Sequence, residues 1–123
     1  MIDSLGIDII ETARIKKALF KWGERFKKRV FSSSEVNYCQ KKKFPEFSFA
    51  ARFCAKEAAM KALGTGVSQG VGWKDFEVMN LKSGKPELRI SEKIQKRIGK
   101  GRMILSLSHT KEYAVAVVLL LKE

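Results

Sequence analysis

Three observations predict an α+β fold, a mainly antiparallel sheet packed against helices. The last long segment, residues 113–121, is apolar at every position but its first, as expected of a strand that is central or covered on both faces. Residues 46–63 are rich in alanine and stop at Gly64-Thr65-Gly66, which reads as one long helix with its terminus. The order of elements completes the case: one strand, a group of helices, then strands gathered in the second half. With 123 residues the chain is sized for a single domain, 1–123, with one core.

Taken in order, residues 5–10 (Leu5-Gly6-Ile7-Asp8-Ile9-Ile10) form a β-branched run and read as a strand. Thr12 is a candidate cap for a helix from about Ala13, with Ile15, Ala18, Leu19 and Trp22 at helical spacing and Gly23 as its end. A short helical piece over 24–30 follows. Ser32 with Glu35 three residues later has the form of a capping box and starts a helix reaching about Lys41. Phe44-Pro45 breaks the chain ahead of the alanine-rich helix. Beyond it, residues 73–81 alternate as a strand. Ser83-Gly84-Lys85-Pro86 is a turn, 87–90 a second strand, 91–98 a short helix, and 103–108 and 113–121 two more strands.

Composition narrows the function classes. Hydrophobic content of 45% suits a folded globular chain rather than a disordered one. No segment has the apolar length to span a bilayer, and no basic region with a following apolar run marks a signal peptide. Cys39 and Cys54 lack zinc-site spacing; Cys54 reads as a small core residue, and a reduced, cytoplasmic compartment is the simplest inference. The net charge of +12 calls for an acidic partner, and most of the basic residues in the N-terminal third are unopposed. Charge alone also suits a nucleic-acid-binding module, but no reading motif or aromatic–basic interleaving accompanies it.

Two acids carry the chemistry. Asp8 interrupts an apolar strand, and a buried carboxylate needs a cation, a metal or hydrogen bonds; the plainer alternative is an edge-strand Asp facing water. On the long helix, Ala51, Ala55, Ala58, Ala59 and Ala62 share one side, while Phe53, Glu57, Met60, Lys61 and Gly64 share the other. Glu57 and Lys61 taken alone would be a surface pair contributing roughly 0.2–0.5 kcal/mol. Taken with Asp8, Glu57 completes a half-site for Mg²⁺, which favours one or two carboxylates finished by water and phosphate oxygens. Lys61, Arg52 and Lys56 would then hold the phosphorylated ligand. Gly64-Thr65-Gly66 allows close backbone approach without being a phosphate loop of the GxxxxGK[ST] kind. His109, the lone histidine, sits at a strand end, where a group able to bind phosphate or take a proton is often mounted.

These blocks resemble the small bacterial phosphopantetheinyl transferases of the holo-(acyl-carrier-protein) synthase type. The resemblance runs through Gly6-Ile7-Asp8-Ile9-Ile10-Glu11 with Arg14-Ile15, the stretch 53–66, Gly84-Lys85-Pro86, and Ser106-Leu107-Ser108-His109-Thr110 with Tyr113-Ala114-Val115-Ala116. It implies transfer of phosphopantetheine from coenzyme A to a serine of apo acyl carrier protein, releasing adenosine 3′,5′-bisphosphate, a step serving fatty acid biosynthesis. It implies Mg²⁺ at Asp8 and Glu57, and Lys61 neutralising the pyrophosphate. It also implies a coenzyme A pocket from Arg52, Lys61, Gly64, Gly84, Pro86, His109 and Thr110. The proton of the serine would go to Glu57 or to a water on the metal. A homotrimer with active sites shared between subunits is implied as well, and so is a docking helix for the acidic carrier protein. Arg14 matches that helix directly, with Lys17, Lys21 and Arg25 as companions and Trp22-Gly23 as a local departure. No nucleic acid and no membrane insertion are expected.

Overall fold

The computed structural model describes residues 1–122. Two antiparallel sheets carry the strands. The larger has the order β1 (Ile2–Glu11), β5 (Tyr113–Leu121), β4 (Arg102–His109), so the apolar last strand is central, one of the two placements its composition suggested. The smaller is the hairpin of β2 (Phe76–Asn80) and β3 (Pro86–Ile90), in register at Val78 and Leu88. Among the helices, α1 is Thr12–Trp22, α2 Glu24–Val30, α3 Ser33–Gln40, α4 Pro45–Leu63 and α5 Glu92–Ile98.

Helix α4 is the axis of the molecule. Its alanines Ala55, Ala58 and Ala59 are wholly buried, because only residues this small let the helix lie against the backbones of β1 and β5. The closest approach is at Gly6, where a Cβ would fall 2.0 Å from the Ala58 carbonyl oxygen and 2.7 Å from the Ala62 nitrogen. Side chains alternate across a strand, so Ser4, Gly6, Asp8 and Ile10 all turn toward α4. Ser4 seals the contact by donating its hydroxyl to the Ala62 carbonyl at 2.7 Å. On the opposite face of β1, Leu5, Ile7 and Ile9 are 56%, 57% and 62% exposed, which leaves that apolar face of the sheet uncovered.

Local chemistry explains where the elements depart from the sequence expectation. Thr12 is not a cap but the buried first residue of α1, since its N–H donates to the Glu112 carbonyl at 2.8 Å. Trp73–Asp75 form a 3-10 turn rather than the start of β2. Asp75 holds that turn by accepting from the Gly72 N–H and the Ser91 hydroxyl, each at 2.8 Å. The expected capping box at Ser32 and Glu35 is present. Pro45 opens α4 at a position where its missing N–H costs nothing.

Candidate active site

β1 carries Asp8 to the α4 side of the sheet, although β1 is an edge strand. The Asp8 side chain is only 11% exposed, and its Oδ1 accepts a hydrogen bond from Lys61 Nζ at 2.9 Å. The same ammonium donates to the Ile7 carbonyl at 3.1 Å. Behind the strand, the buried Cys54 thiol donates to the Asp8 carbonyl at 3.1 Å, with Sγ 3.7 Å from Asp8 Oδ2. Asp8 and Glu57 line one cavity of about 280 Å³, walled by Ile10, Ile15 and Phe53 and edged by Arg14.

The electrostatics are those of two acids crowded at one partly buried site. Burial pushes the Glu57 carboxyl above its ordinary range, neighbouring Asp8 pushes it further, and Lys61 and Arg14 only partly oppose this. The hydrogen bond to Asp8 raises Lys61, so its ammonium stays charged. Cys54 is pushed up to about 12, chiefly by burial and then by Asp8, and remains a neutral donor. Among the described residues no third His, Cys, Asp or Glu joins a metal-ligating group. Two carboxylates at one cavity are donors that suit a hard cation, whose remaining ligands would be water or phosphate oxygens.

The other expected pocket residues lie elsewhere in the single chain. Arg52 is buried, donates to Asn80 Oδ1 at 2.5 Å and stacks 4.2 Å from the Tyr38 ring centre; its Nε is buried without a partner. Asn80 in turn donates to the Gly84 carbonyl at 3.1 Å and pairs with Pro86 across the hairpin. Arg52, Gly84 and Pro86 are thus one cluster joined by Asn80, a residue whose only sequence signal was its place at the end of an alternating strand. Arg52 lies five positions from Glu57, about 140° around the helix, on a different flank. His109 is exposed at the end of β4, with its ring centre 6.2 Å from that of Phe47. Thr110 caps the following turn by accepting from the Glu112 and Tyr113 N–H groups. Phe47 is ten residues from Glu57, about 15 Å along α4. Gly64 ends α4 in the left-handed region at φ 81°. Within one chain, then, Asp8, Glu57, Lys61 and Arg14 come together, while Arg52, Gly84 and Pro86 form a second group and His109 and Thr110 a third.

Two helix residues belong to the core instead of the charged face. Lys56 is wholly buried, its Nζ 2.7 Å from both Glu35 Oε1 and the Val30 carbonyl, so it ties α4 to α3 rather than facing a ligand. Met60 is 2% exposed. On the basic side, Arg14, Lys17 and Lys21 are exposed along α1, and Arg25 follows on α2. Gly23, with φ 51°, makes the turn between these helices. Trp22 there lies under Lys21 and Arg25, 4.9 and 6.0 Å from its ring centre. A groove of about 610 Å³ beside Trp22 is floored by Phe53 and Trp73, stacked at 4.8 Å. It shares Phe26 and Phe53 with the Asp8–Glu57 cavity. The sequence reading missed this aromatic groove because Trp22 and Phe26, Phe53, and Trp73 come from separate parts of the chain.

Comparison with known proteins decides what this arrangement belongs to. Residues 4–118 match the family described as the 4′-phosphopantetheinyl transferase superfamily. The chain belongs to that superfamily. Within the superfamily, it is 46% identical over 123 residues to a holo-(acyl-carrier-protein) synthase of Koribacter versatilis, with 98% of each chain covered. It is 47% identical over 118 residues to that of Chlamydia caviae, with 95% of each covered. Among solved structures it resembles the Bacillus anthracis holo-(acyl-carrier-protein) synthase in complex with CoA (3′,5′-ADP), at 41% identity and TM-score 0.83, covering 98% of this chain and 96% of that one. The Neisseria meningitidis synthase aligns at 31% identity and TM-score 0.90, covering 99% and 100%. The matched span of this phosphopantetheinyl transferase contains every candidate site residue named above, from Asp8 to Thr110. Among the described residues no helix is long and apolar enough to cross a membrane.

Proposed function

We propose that the whole chain, 1–123, acts as one transferase domain that moves 4′-phosphopantetheine from coenzyme A to a serine of apo acyl carrier protein. The serine oxygen attacks the phosphorus bearing the pantetheine arm. The bond to the bridging pyrophosphate oxygen breaks, and adenosine 3′,5′-bisphosphate leaves with that oxygen. The observation that carries this reading is the meeting of Asp8 and Glu57 at one cavity, with Lys61 paired to Asp8 at 2.9 Å. Those two carboxylates would hold Mg²⁺, which when bound supplies charge neutralisation to the pyrophosphate. Lys61, exposed and charged, reaches the leaving phosphate and offsets its growing negative charge. Glu57, held above the ordinary carboxylate range, suits the role of acceptor for the serine proton.

Coenzyme A binding is supported by the relatives solved with it, from Bacillus anthracis and Helicobacter pylori. The separation of Arg52, Gly84, Pro86, His109 and Thr110 from Glu57 is what a site shared between subunits would require. The uncovered apolar face of the sheet offers a surface for a homotrimer. Arg14 at the cavity, with Lys17, Lys21 and Arg25 further along α1 and α2, forms the dock for the acidic carrier protein, and the basic surface that also suits nucleic acid is read as that dock. A cytoplasmic setting accords with two free, buried cysteines.

Mass spectrometry of apo acyl carrier protein incubated with the enzyme, coenzyme A and Mg²⁺ tests the reading. The expected product is the carrier protein plus one phosphopantetheine. No adduct on any of several carrier proteins, from a folded enzyme, would overturn it.

A further inference from the structure

Lys61 already does for Asp8 what a bound cation would do. Its Nζ bonds Asp8 Oδ1 at 2.9 Å and the Ile7 carbonyl at 3.1 Å. The pair is lopsided: the lysine side chain is 55% exposed and the aspartate 11%. An ammonium on a flexible stem can swing away, whereas a carboxylate on a strand pressed against α4 cannot. Glu57 and Arg14 face the same cavity, so the ammonium joins a small set of charges that is close to balanced without any ion.

We propose that Lys61 is a resident counter-ion that keeps a divalent cation off Asp8 until a pyrophosphate draws the ammonium away, so that metal enters with the nucleotide and not before it. The proposal rests on the reading of Asp8 and Glu57 as metal ligands. A divalent cation arriving alone must take Asp8 Oδ1 from the ammonium and then sit beside a positive charge. Pyrophosphate oxygens would change both conditions, since they would accept the lysine's hydrogen bonds and offer the cation further negative charge. The same lysine therefore opposes metal in the free enzyme and supports it in the complex. Removing its charge should strengthen metal binding in the absence of coenzyme A, the reverse of its effect on nucleotide binding.

Titration with Mn²⁺, a paramagnetic probe whose free form is read by electron paramagnetic resonance, tests this without any turnover. Lys61→Met keeps the stem and the helix propensity, and Lys61→Gln serves as a second variant; circular dichroism checks both folds. Without coenzyme A, both variants should bind Mn²⁺ about tenfold more tightly than the parent, or better. Adding coenzyme A should tighten Mn²⁺ binding far more in the parent than in either variant. Asp8→Asn placed on Lys61→Met should erase the gain. Equal or weaker Mn²⁺ binding by both lysine variants, with Asp8→Asn still lowering it, would overturn the counter-ion role and leave the ligand assignment standing. Binding indifferent to Asp8→Asn in every background would overturn both.

Discussion

Gly6→Ala tests the contact that positions the candidate site. The new Cβ would lie 2.0 Å from the Ala58 carbonyl oxygen and 2.7 Å from the Ala62 nitrogen, both part of the α4 backbone. Carbon and carbonyl oxygen settle no closer than about 3.3 Å, so strand and helix must part by about 1.3 Å from the 2.0 Å approach. Neither neighbour is a side-chain end that can swing aside. Overpacking costs about 1–3 kcal/mol, and a clash with hydrogen-bonded backbone belongs at the upper end. At roughly 4 °C per kcal/mol for a domain of this size, the melting temperature should fall by roughly 10 °C. Asp8 sits two residues further along the same face, so the parting also carries it away from Glu57 and Lys61. A shift of ~1 Å in a reacting constellation can cost ~100-fold in rate. Differential scanning calorimetry reads the first effect, and carrier-protein modification well below the melting temperature reads the second. Ser4→Ala is the control on the same strand face: it loses one hydrogen bond, about 1 kcal/mol, and should keep its rate. Gly6→Ala with an unchanged melting temperature and full activity would refute the argument. A lowered melting temperature with full activity would show that this contact does not set the site.

Three further outcomes follow from the charges and the open face. Glu57→Gln should inactivate the enzyme yet raise its melting temperature at neutral pH. The folded-state pKa of Glu57 lies above its ordinary 4.5, so its favourable contribution is whole below that value and lost as pH rises through the folded pKa. The advantage of the variant should therefore vanish on acidification below about pH 4, and an advantage independent of pH in thermal scans would contradict the burial argument. Lys56→Met should destabilise by about 3–5 kcal/mol, because it leaves the buried Glu35 carboxylate without its cation. Urea unfolding should show part of that loss recovered when Glu35→Gln is added, and strict additivity would show the two are not coupled. Ile7→Glu places a charge on the uncovered sheet face; sedimentation should show a smaller species than the parent, and an unchanged mass would remove this face from the proposed homotrimer.

Much of the architecture was legible because it rests on short-range chemistry. Ser32 and Glu35 satisfy each other's backbone groups locally, so the start of α3 could be placed from four residues. The apolar 113–121 run read as a strand either central or covered on both faces, and it is central. Errors fell where a distant group intervened. Thr12 looked like a cap until Glu112 took its N–H. Lys56 looked like a ligand-binding cation until Glu35, from another helix, was found against it at 2.7 Å. A helical wheel assigns Met60 and Lys61 to one side, but it cannot say how far the covering elements wrap around α4.

The sequence by itself determined the family and the alanine face of α4, and it singled out two acids and a lysine as candidates. Those conclusions need only residue type and spacing, which chain order preserves. The tertiary structure alone decided that Asp8 turns toward α4, that Lys61 is already its partner at 2.9 Å, and that Arg52 belongs with Asn80 and Gly84 on another flank. The reason is geometric. Gly6 sets how closely β1 meets α4, and the pleat then fixes which side Asp8 faces; neither quantity is written in the spacing of Asp8 from Glu57 along the chain.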